Sequence, residues 1–194
     1  MNLPNKITIS RIICAPVFFV LYFLPQWFSV TGTWLIIALW AVYLYAEISD
    51  VVDGYIARKY NLVTDMGKVL DPFSDVMSRV TFFVCFAFSG FIPLWMLLII
   101  LYRELGIQFV RMHMMSKGIA MAASFWGKLK AVFYFISALA GMVTFSGRML
   151  GQEFFESTVW STLLFVLFAL AVVSSAFSFI TYIKPIIKGQ KSAR

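Results

Sequence analysis

Charge is what this 194-residue chain has least of: Asp, Glu, Lys and Arg together make up 13%, against 61% hydrophobic residues. A chain of this length with so few charged side chains cannot cover its surface with groups that water solvates, so a water-soluble globule is excluded. Cysteine is nearly absent as well. The two present, Cys14 and Cys85, lie inside apolar segments, which leaves no support for a disulfide framework or a cysteine zinc site and makes both small core residues. The one histidine, His113, has no carboxylate beside it and is expected to be solvated or lipid-facing rather than catalytic. No internal repeat, low-complexity tract or linker breaks the chain. Residues 1–194 therefore read as one domain, and an inverted-repeat transporter is disfavoured.

What is there is apolar sequence in long runs, with a mean hydropathy of +0.87. Runs near the roughly 20 residues that span a bilayer core recur along the whole chain. They predict an all-α polytopic membrane protein with six transmembrane helices and a short N-terminal interfacial segment. The expected spans run from about Ile9 to Leu24, with Thr8 as a helix cap, then from Thr33 to near Arg58. The third runs from between Gly67 and Asp71 to Phe88, and the fourth starts near Pro93. The fifth opens at Lys128 and Lys130 and reaches Phe145, and the last covers Val159 to Ile183. The segment from His113 to Trp126 reads as a loop or an interfacial helix. A formal net charge of +7 would suit nucleic acid if the cations shared a soluble face, but they fall between the apolar runs. They are topology signals and contacts for anionic lipid or phosphate. The termini, including Lys184, Lys188, Lys191 and Arg194, and the second-to-third and fourth-to-fifth connections carry nearly all of them. By the positive-inside rule these face the cytoplasm, which places the protein in the cytoplasmic membrane.

Against that background one stretch stands out. Between Ser49 and Asp75 the chain gathers five of its nine carboxylates. On a helix turning about 100° per residue, Asp50, Asp53 and Ala57 share one face, with Gly54 leaving bare backbone beside Asp53. Asp71 and Asp75 share a face of the next helix, and Pro72 suits its first turn. Two antiparallel helices joined by the polar stretch from Lys59 to Lys68 can point four carboxylates into one volume. That many like charges need cations, and an oxygen-only donor set suits Mg2+, Mn2+ or Ca2+. Two other readings remain open on spacing alone: structural ion pairs with Arg58, Lys59 and Arg79, or a cation or proton path. Small residues beside the carboxylates favour a bound nucleotide, which needs close backbone approach.

Written out, the pattern is D-x-x-D-G-x-x-A-R-x8-G-x-x-x-D-x-x-x-D, with Asp50, Asp53, Gly54, Ala57, Arg58, Gly67, Asp71 and Asp75 at its fixed positions. It resembles the signature of the CDP-alcohol phosphotransferases, membrane enzymes that move a phosphoalcohol or phosphatidyl group from a CDP-linked donor to an alcohol. The resemblance implies two divalent ions, Mg2+ or Mn2+, with Asp50, Asp53, Asp71 and Asp75 as ligands. It also makes Asp75 the catalytic base for the acceptor hydroxyl. It implies donor contacts from Gly54, Ala57, Arg58 and Gly67, and adds Thr64, Asn5 and Thr8 to the donor site. Polar residues near a helix start commonly cap it, and that role is equally open to the last three.

Beyond the signature, L-P-N-K-I-T-I-S-R at the N-terminus, A-R-K-Y-N-L-V-T, R-E-L-G and W-G-K-L-K are similar to the branch of that family that makes phosphatidylglycerophosphate in bacteria. This implies CDP-diacylglycerol and glycerol 3-phosphate as substrates, in the lipid bilayer and without nucleic acid; a homodimer is compatible with it. That branch carries a lysine after the fourth aspartate, whereas Val76 stands here. Inositol phosphate and serine therefore stay open as acceptors, as does, from another class, a cation transporter. Arg103, Arg111, Lys128 and Lys130, with Lys117 and the anion Glu104 interspersed, are cations expected on the same side of the membrane as the carboxylates. They are candidates to bind an acceptor phosphate, set against ordinary positive-inside charge.

Overall fold

The computed structural model describes residues 2–62, 64–116 and 125–189. Among the described residues there are six α-helices and no strand. They are α1 (Leu3–Phe28), α2 (Thr33–Lys59), α3 (Asp65–Phe88), α4 (Leu94–Ser116), α5 (Phe125–Met149) and α6 (Thr158–Gly189), with a 3-10 turn at Glu153–Glu156 before α6. Four of them are long and apolar enough to cross a membrane: α1, α2, α5, and α6 over Thr158–Ile183. α3 and α4 are of similar length but carry Asp71, Asp75 and Arg79, and Arg103, Glu104 and Arg111, respectively. Lys117 and most of the connection around it, and Lys191 and Arg194, lie outside the described residues.

The chain divides into two units, Met1–Cys85 and Phe86–Arg194. In the first, each helix contributes one buried stripe whose chemistry changes along its length. On α1 the stripe reads Asn5, Thr8, Arg11, then Ala15, Phe18, Tyr22; on α2 it reads Leu35, Leu39, Tyr43, Ala46, then Ser49, Asp53. On α3 it reads Ser74, Ser78, then Phe82 and Cys85. The steps of three and four residues keep each stripe on one face. Because the three helices alternate in direction, every polar end falls at the same end of the unit. The apolar ends lock through Phe82, whose ring centroid lies 4.6 Å from that of Phe18 and 5.2 Å from that of Tyr43, both edge-on.

α1 starts earlier than the apolar run suggested. Asn2 caps it, its side-chain oxygen accepting from the Asn5 N–H at 3.2 Å, and Pro4 occupies the first turn. Thr8 is therefore inside the helix, fully buried, rather than at its cap. The Asn2 side-chain amide also donates to the Leu62 carbonyl at 2.6 Å, which ties the start of α1 to the connection between α2 and α3. That connection is tight. Asn61 adopts the left-handed conformation at φ 53°, and the Leu62 N–H reaches back to the Ala57 carbonyl at 2.9 Å, closing α2 in the manner glycine usually provides. Thr64 then caps α3 by accepting from the Gly67 N–H at 3.0 Å.

The second unit packs α5 and α4 against α6. Gly106 on α4 approaches Phe179 of α6 so closely that a Cβ there would sit 2.9 Å from its ring. His113 lies in the last turn of α4, exposed, with its ring stacked 6.5 Å from Phe109.

Candidate active site

The polar end of the first unit is assembled around two side chains of α1. Thr8 Oγ1 lies 2.9 Å from Asp53 Oδ2 on α2 and 2.9 Å from Asp71 Oδ1 on α3, and 3.1 Å from the Pro4 carbonyl one turn back. A hydroxyl has one proton, so it satisfies one of these acceptors at a time and draws the two carboxylates to a common point. Arg11, one turn further along α1 and 1% exposed, takes the other side. Its Nη1 pairs with Asp50 Oδ1, its Nη2 lies 3.3 Å from Asp53 Oδ2, and its Nε donates to Ser74 Oγ at 2.7 Å. Asp53 is nearly sealed, with 3% of its side chain exposed, while Asp50 keeps 41%. The cluster thus opens on the Asp50 side.

Asp75, one turn after Asp71, pairs with Arg79 across one further turn of α3, Nη2 to Oδ1 at 3.0 Å. Arg79 thus makes the structural ion pair that the spacing left open for it.

The remaining candidates of this unit fall into two groups. Asn5, Thr64 and Gly67 come together: Asn5 Nδ2 donates to Thr64 Oγ1 at 3.1 Å, and a Cβ on Gly67 would stand 3.1 Å from Asn5 Oδ1 and 3.2 Å from Thr64 Oγ1. Thr64 does act locally on the start of α3, as polar residues there usually do, whereas the Asn5 side chain reaches across to Thr64 from 59 positions away and caps no helix among the described residues. Gly54, Ala57 and Arg58 form the second group at the end of α2. The Arg58 guanidinium is exposed and folds back over Gly54, 3.6 Å from where a Cβ would be.

Whether the carboxylates suit a divalent ion is a question of donors and of arrangement. The donor set is all oxygen, three carboxylates and a hydroxyl, as hard cations prefer. A cation already stands among them in the form of the Arg11 guanidinium, bridging Asp50 and Asp53. With the side chains so placed, no three His, Cys, Asp or Glu side chains among the described residues form a group that could hold a metal ion. The chemistry fits; the arrangement shown is the one paired with Arg11.

The second unit holds its own buried charges. Glu104 Oε1 accepts from Arg103 Nη1 at 2.9 Å and from Lys130 Nζ at 2.7 Å, Arg103 Nη2 donates to Ser178 Oγ at 2.8 Å, and Lys130 lies 4.6 Å over the Tyr134 ring. Arg103 Nε is buried without a hydrogen-bond partner among the described residues. Lys128 is exposed, and it precedes buried Lys130 by two positions, about 200° around α5. Arg111 sits elsewhere, 5.9 Å over the ring of Tyr182. Of the four acceptor candidates, Arg103 and Lys130 are brought together, on Glu104, and Lys128 and Arg111 are not.

Reasoning from the sequence passed over Arg11 and Ser74. The signal for Arg11 was present: an arginine where the apolar run of α1 begins, three residues after Thr8 and on the same face, has to find a partner.

A sequence profile of CDP-alcohol phosphatidyltransferases matches residues 1–177. Among curated relatives, the CDP-diacylglycerol–glycerol-3-phosphate 3-phosphatidyltransferase of Treponema pallidum is 31% identical over 198 aligned positions, covering 97% of this chain and 92% of that protein. The Bacillus subtilis protein of the same name is 36% identical over 135 positions, 66% of this chain and 70% of its own length. A probable phosphatidylglycerophosphate synthase of Mycobacterium tuberculosis is 32% identical over 139 positions, 72% of this chain and 63% of its own length.

Proposed function

The chain belongs to the CDP-alcohol phosphatidyltransferase family, and from that premise we propose that it transfers the phosphatidyl group of CDP-diacylglycerol to glycerol 3-phosphate, giving phosphatidylglycerophosphate and CMP. The names of its relatives support this donor and acceptor. The observation that carries the chemistry is the convergence of Asp53 and Asp71 on Thr8, with Asp50 drawn in through Arg11.

Asp50, Asp53, Asp71 and Asp75 would hold two divalent ions, Mg2+ or Mn2+, which would supply neutralisation of the donor's pyrophosphate and polarisation of the attacked phosphorus. The protein's own side chains do the rest. Arg58 holds a donor phosphate over the bare backbone of Gly54, while Ala57 leaves room for the cytidine. Asn5, Thr64 and Gly67 form the facing wall, where the missing Cβ permits close approach. Asp75 accepts the proton of the acceptor hydroxyl as its oxygen bonds to the phosphorus next to the diacylglycerol. The bond from that phosphorus to the bridging oxygen then breaks, and CMP leaves with the oxygen. Lys130 and Arg103, with Lys128 and Arg111, attract the anionic acceptor.

All six helices cross the cytoplasmic membrane in this reading, with the termini and the carboxylates on the cytoplasmic side, in a protein that can pair as a homodimer. Val76 favours one second reading, the same transfer to inositol phosphate or serine. The deciding experiment is CMP release from CDP-diacylglycerol by purified protein with Mg2+ or Mn2+, offering each acceptor separately. Release that requires glycerol 3-phosphate is expected. Release only with another acceptor moves the protein to a different branch, and none with any acceptor or metal overturns the transferase reading.

A further inference from the structure

Arg11 is the one cation the described structure puts in contact with the first two signature carboxylates, and every nitrogen of its guanidinium is engaged. Nη1 meets Asp50, Nη2 lies 3.3 Å from Asp53, and Nε lies 2.7 Å from Ser74, which is itself 3.4 Å from the Thr8 carbonyl. The side chain therefore spans α1, α2 and α3 at the polar end of the unit, with only 1% of it exposed. Without it, Asp53 would be an almost fully buried carboxylate with, among the described residues, the Thr8 hydroxyl as its donor, and Asp50 and Asp71 would repel it through a medium of low dielectric. One guanidinium does not neutralise three carboxylates, so an affinity for further positive charge remains. Arg11 nevertheless stands where it must repel any cation that joins it.

Building on the ligand assignment above, we propose that Arg11 is the built-in counter-cation of this cluster. It holds Asp50 and Asp53 in place before a divalent ion is bound, and it sets the ion's affinity below that of the bare carboxylates. It is a positioning residue, acting on the donor and acceptor only through the aspartates. An ion that binds less tightly is exchangeable, and the helices do not depend on it to stay together.

The test uses purified full-length protein in detergent and two readouts that need no turnover: thermal melting in EDTA, and direct Mn2+ binding followed by the loss of the free-ion paramagnetic signal. Arg11→Gln keeps a polar side chain near Ser74 and removes the charge. It is expected to melt lower than wild type in EDTA, to gain more on adding Mn2+, and to bind Mn2+ about tenfold more tightly or better, as removal of a neighbouring positive charge requires. Arg11→Lys keeps the charge but cannot bridge both carboxylates. It is expected to stay within about threefold of wild-type affinity, with a melting loss in EDTA that Mn2+ restores.

An Arg11→Gln variant that binds Mn2+ no tighter than wild type overturns the proposal. If that variant cannot be purified at all, the lysine variant decides, and a melting loss that Mn2+ does not restore would make Arg11 a packing residue only. Wild-type protein that binds no Mn2+ overturns the ligand assignment itself, and this inference with it. Normal wild-type binding with an unaltered glutamine variant overturns this inference alone.

Discussion

Thr8 and Asp71 stand 63 positions apart in the chain and 2.9 Å apart in space, and the same hydroxyl is 2.9 Å from Asp53. Two carboxylate oxygens from different helices therefore lie within twice that distance of each other, on a residue whose own side chain is uncharged. Thr8 acts as a spacer that fixes how close the second and third aspartates of the signature come.

Thr8→Val, which preserves shape and removes the hydroxyl, should lower kcat/KM and Mn2+ affinity by about tenfold to a hundredfold, the usual cost of losing a residue that orients metal ligands. Stability should fall by about 1–3 kcal/mol, because buried Asp53 loses its donor. Thr8→Ser should recover most of both. Kinetics, Mn2+ titration and melting of the two variants together check this, and a valine variant with wild-type activity would remove the spacer role.

Asp75→Asn keeps the shape of the side chain but cannot take a proton. Turnover should fall by at least about a thousandfold, while binding of the CDP-linked donor, measured directly by titration with CDP, stays within a few-fold of wild type. Equal losses in binding and turnover would point to a structural role through the Arg79 pair.

Gly67→Ala adds a Cβ 3.1 Å from Asn5 Oδ1 and 3.2 Å from Thr64 Oγ1, tighter than ordinary contact. The wall formed by these three residues must shift by a few tenths of an ångström. The KM for CDP-diacylglycerol should rise by about tenfold, with kcat changing less, because the contact removed belongs to donor binding. Steady-state kinetics at saturating glycerol 3-phosphate separates the two.

Glu104→Gln leaves Arg103 and Lys130 buried beside each other without their shared anion. The loss should reach about 3–5 kcal/mol, as when one partner of a buried ion pair is removed. Lys128→Ala, at an exposed position, should leave the melting temperature within a degree or two, and its effect should appear as a higher KM for glycerol 3-phosphate. Melting and kinetics on both variants separate what the buried Arg103–Glu104–Lys130 cluster adds to stability from what the exposed Lys128 adds to acceptor recognition.

Treatment with EDTA should abolish CMP release, and added Mg2+ or Mn2+ should restore it. Melting should drop only modestly in EDTA, because Arg11 continues to hold Asp50 and Asp53. Unfolding on chelation would show that the carboxylates depend on the ion for their arrangement.

The sequence by itself determined the helices and the chemistry they carry. Hydropathy runs gave the spans of α1, α2, α5 and α6, though not the polar first turns of α1, because in a membrane the backbone must satisfy itself within each helix and composition alone signals that. The spacing of Asp50, Asp53, Asp71 and Asp75 gave the faces they share, because helical periodicity is local. What only the tertiary structure decided was which helices meet at those faces and at what level. That register placed Thr8 between Asp53 and Asp71, put Arg11 among the carboxylates, and joined Asn5 to Thr64. It also turned Lys130 inward to Glu104 while Lys128, two residues earlier, faces out. Contacts between helices depend on packing across tens of residues, and no local pattern in the chain encodes the distance at which two stripes come to rest.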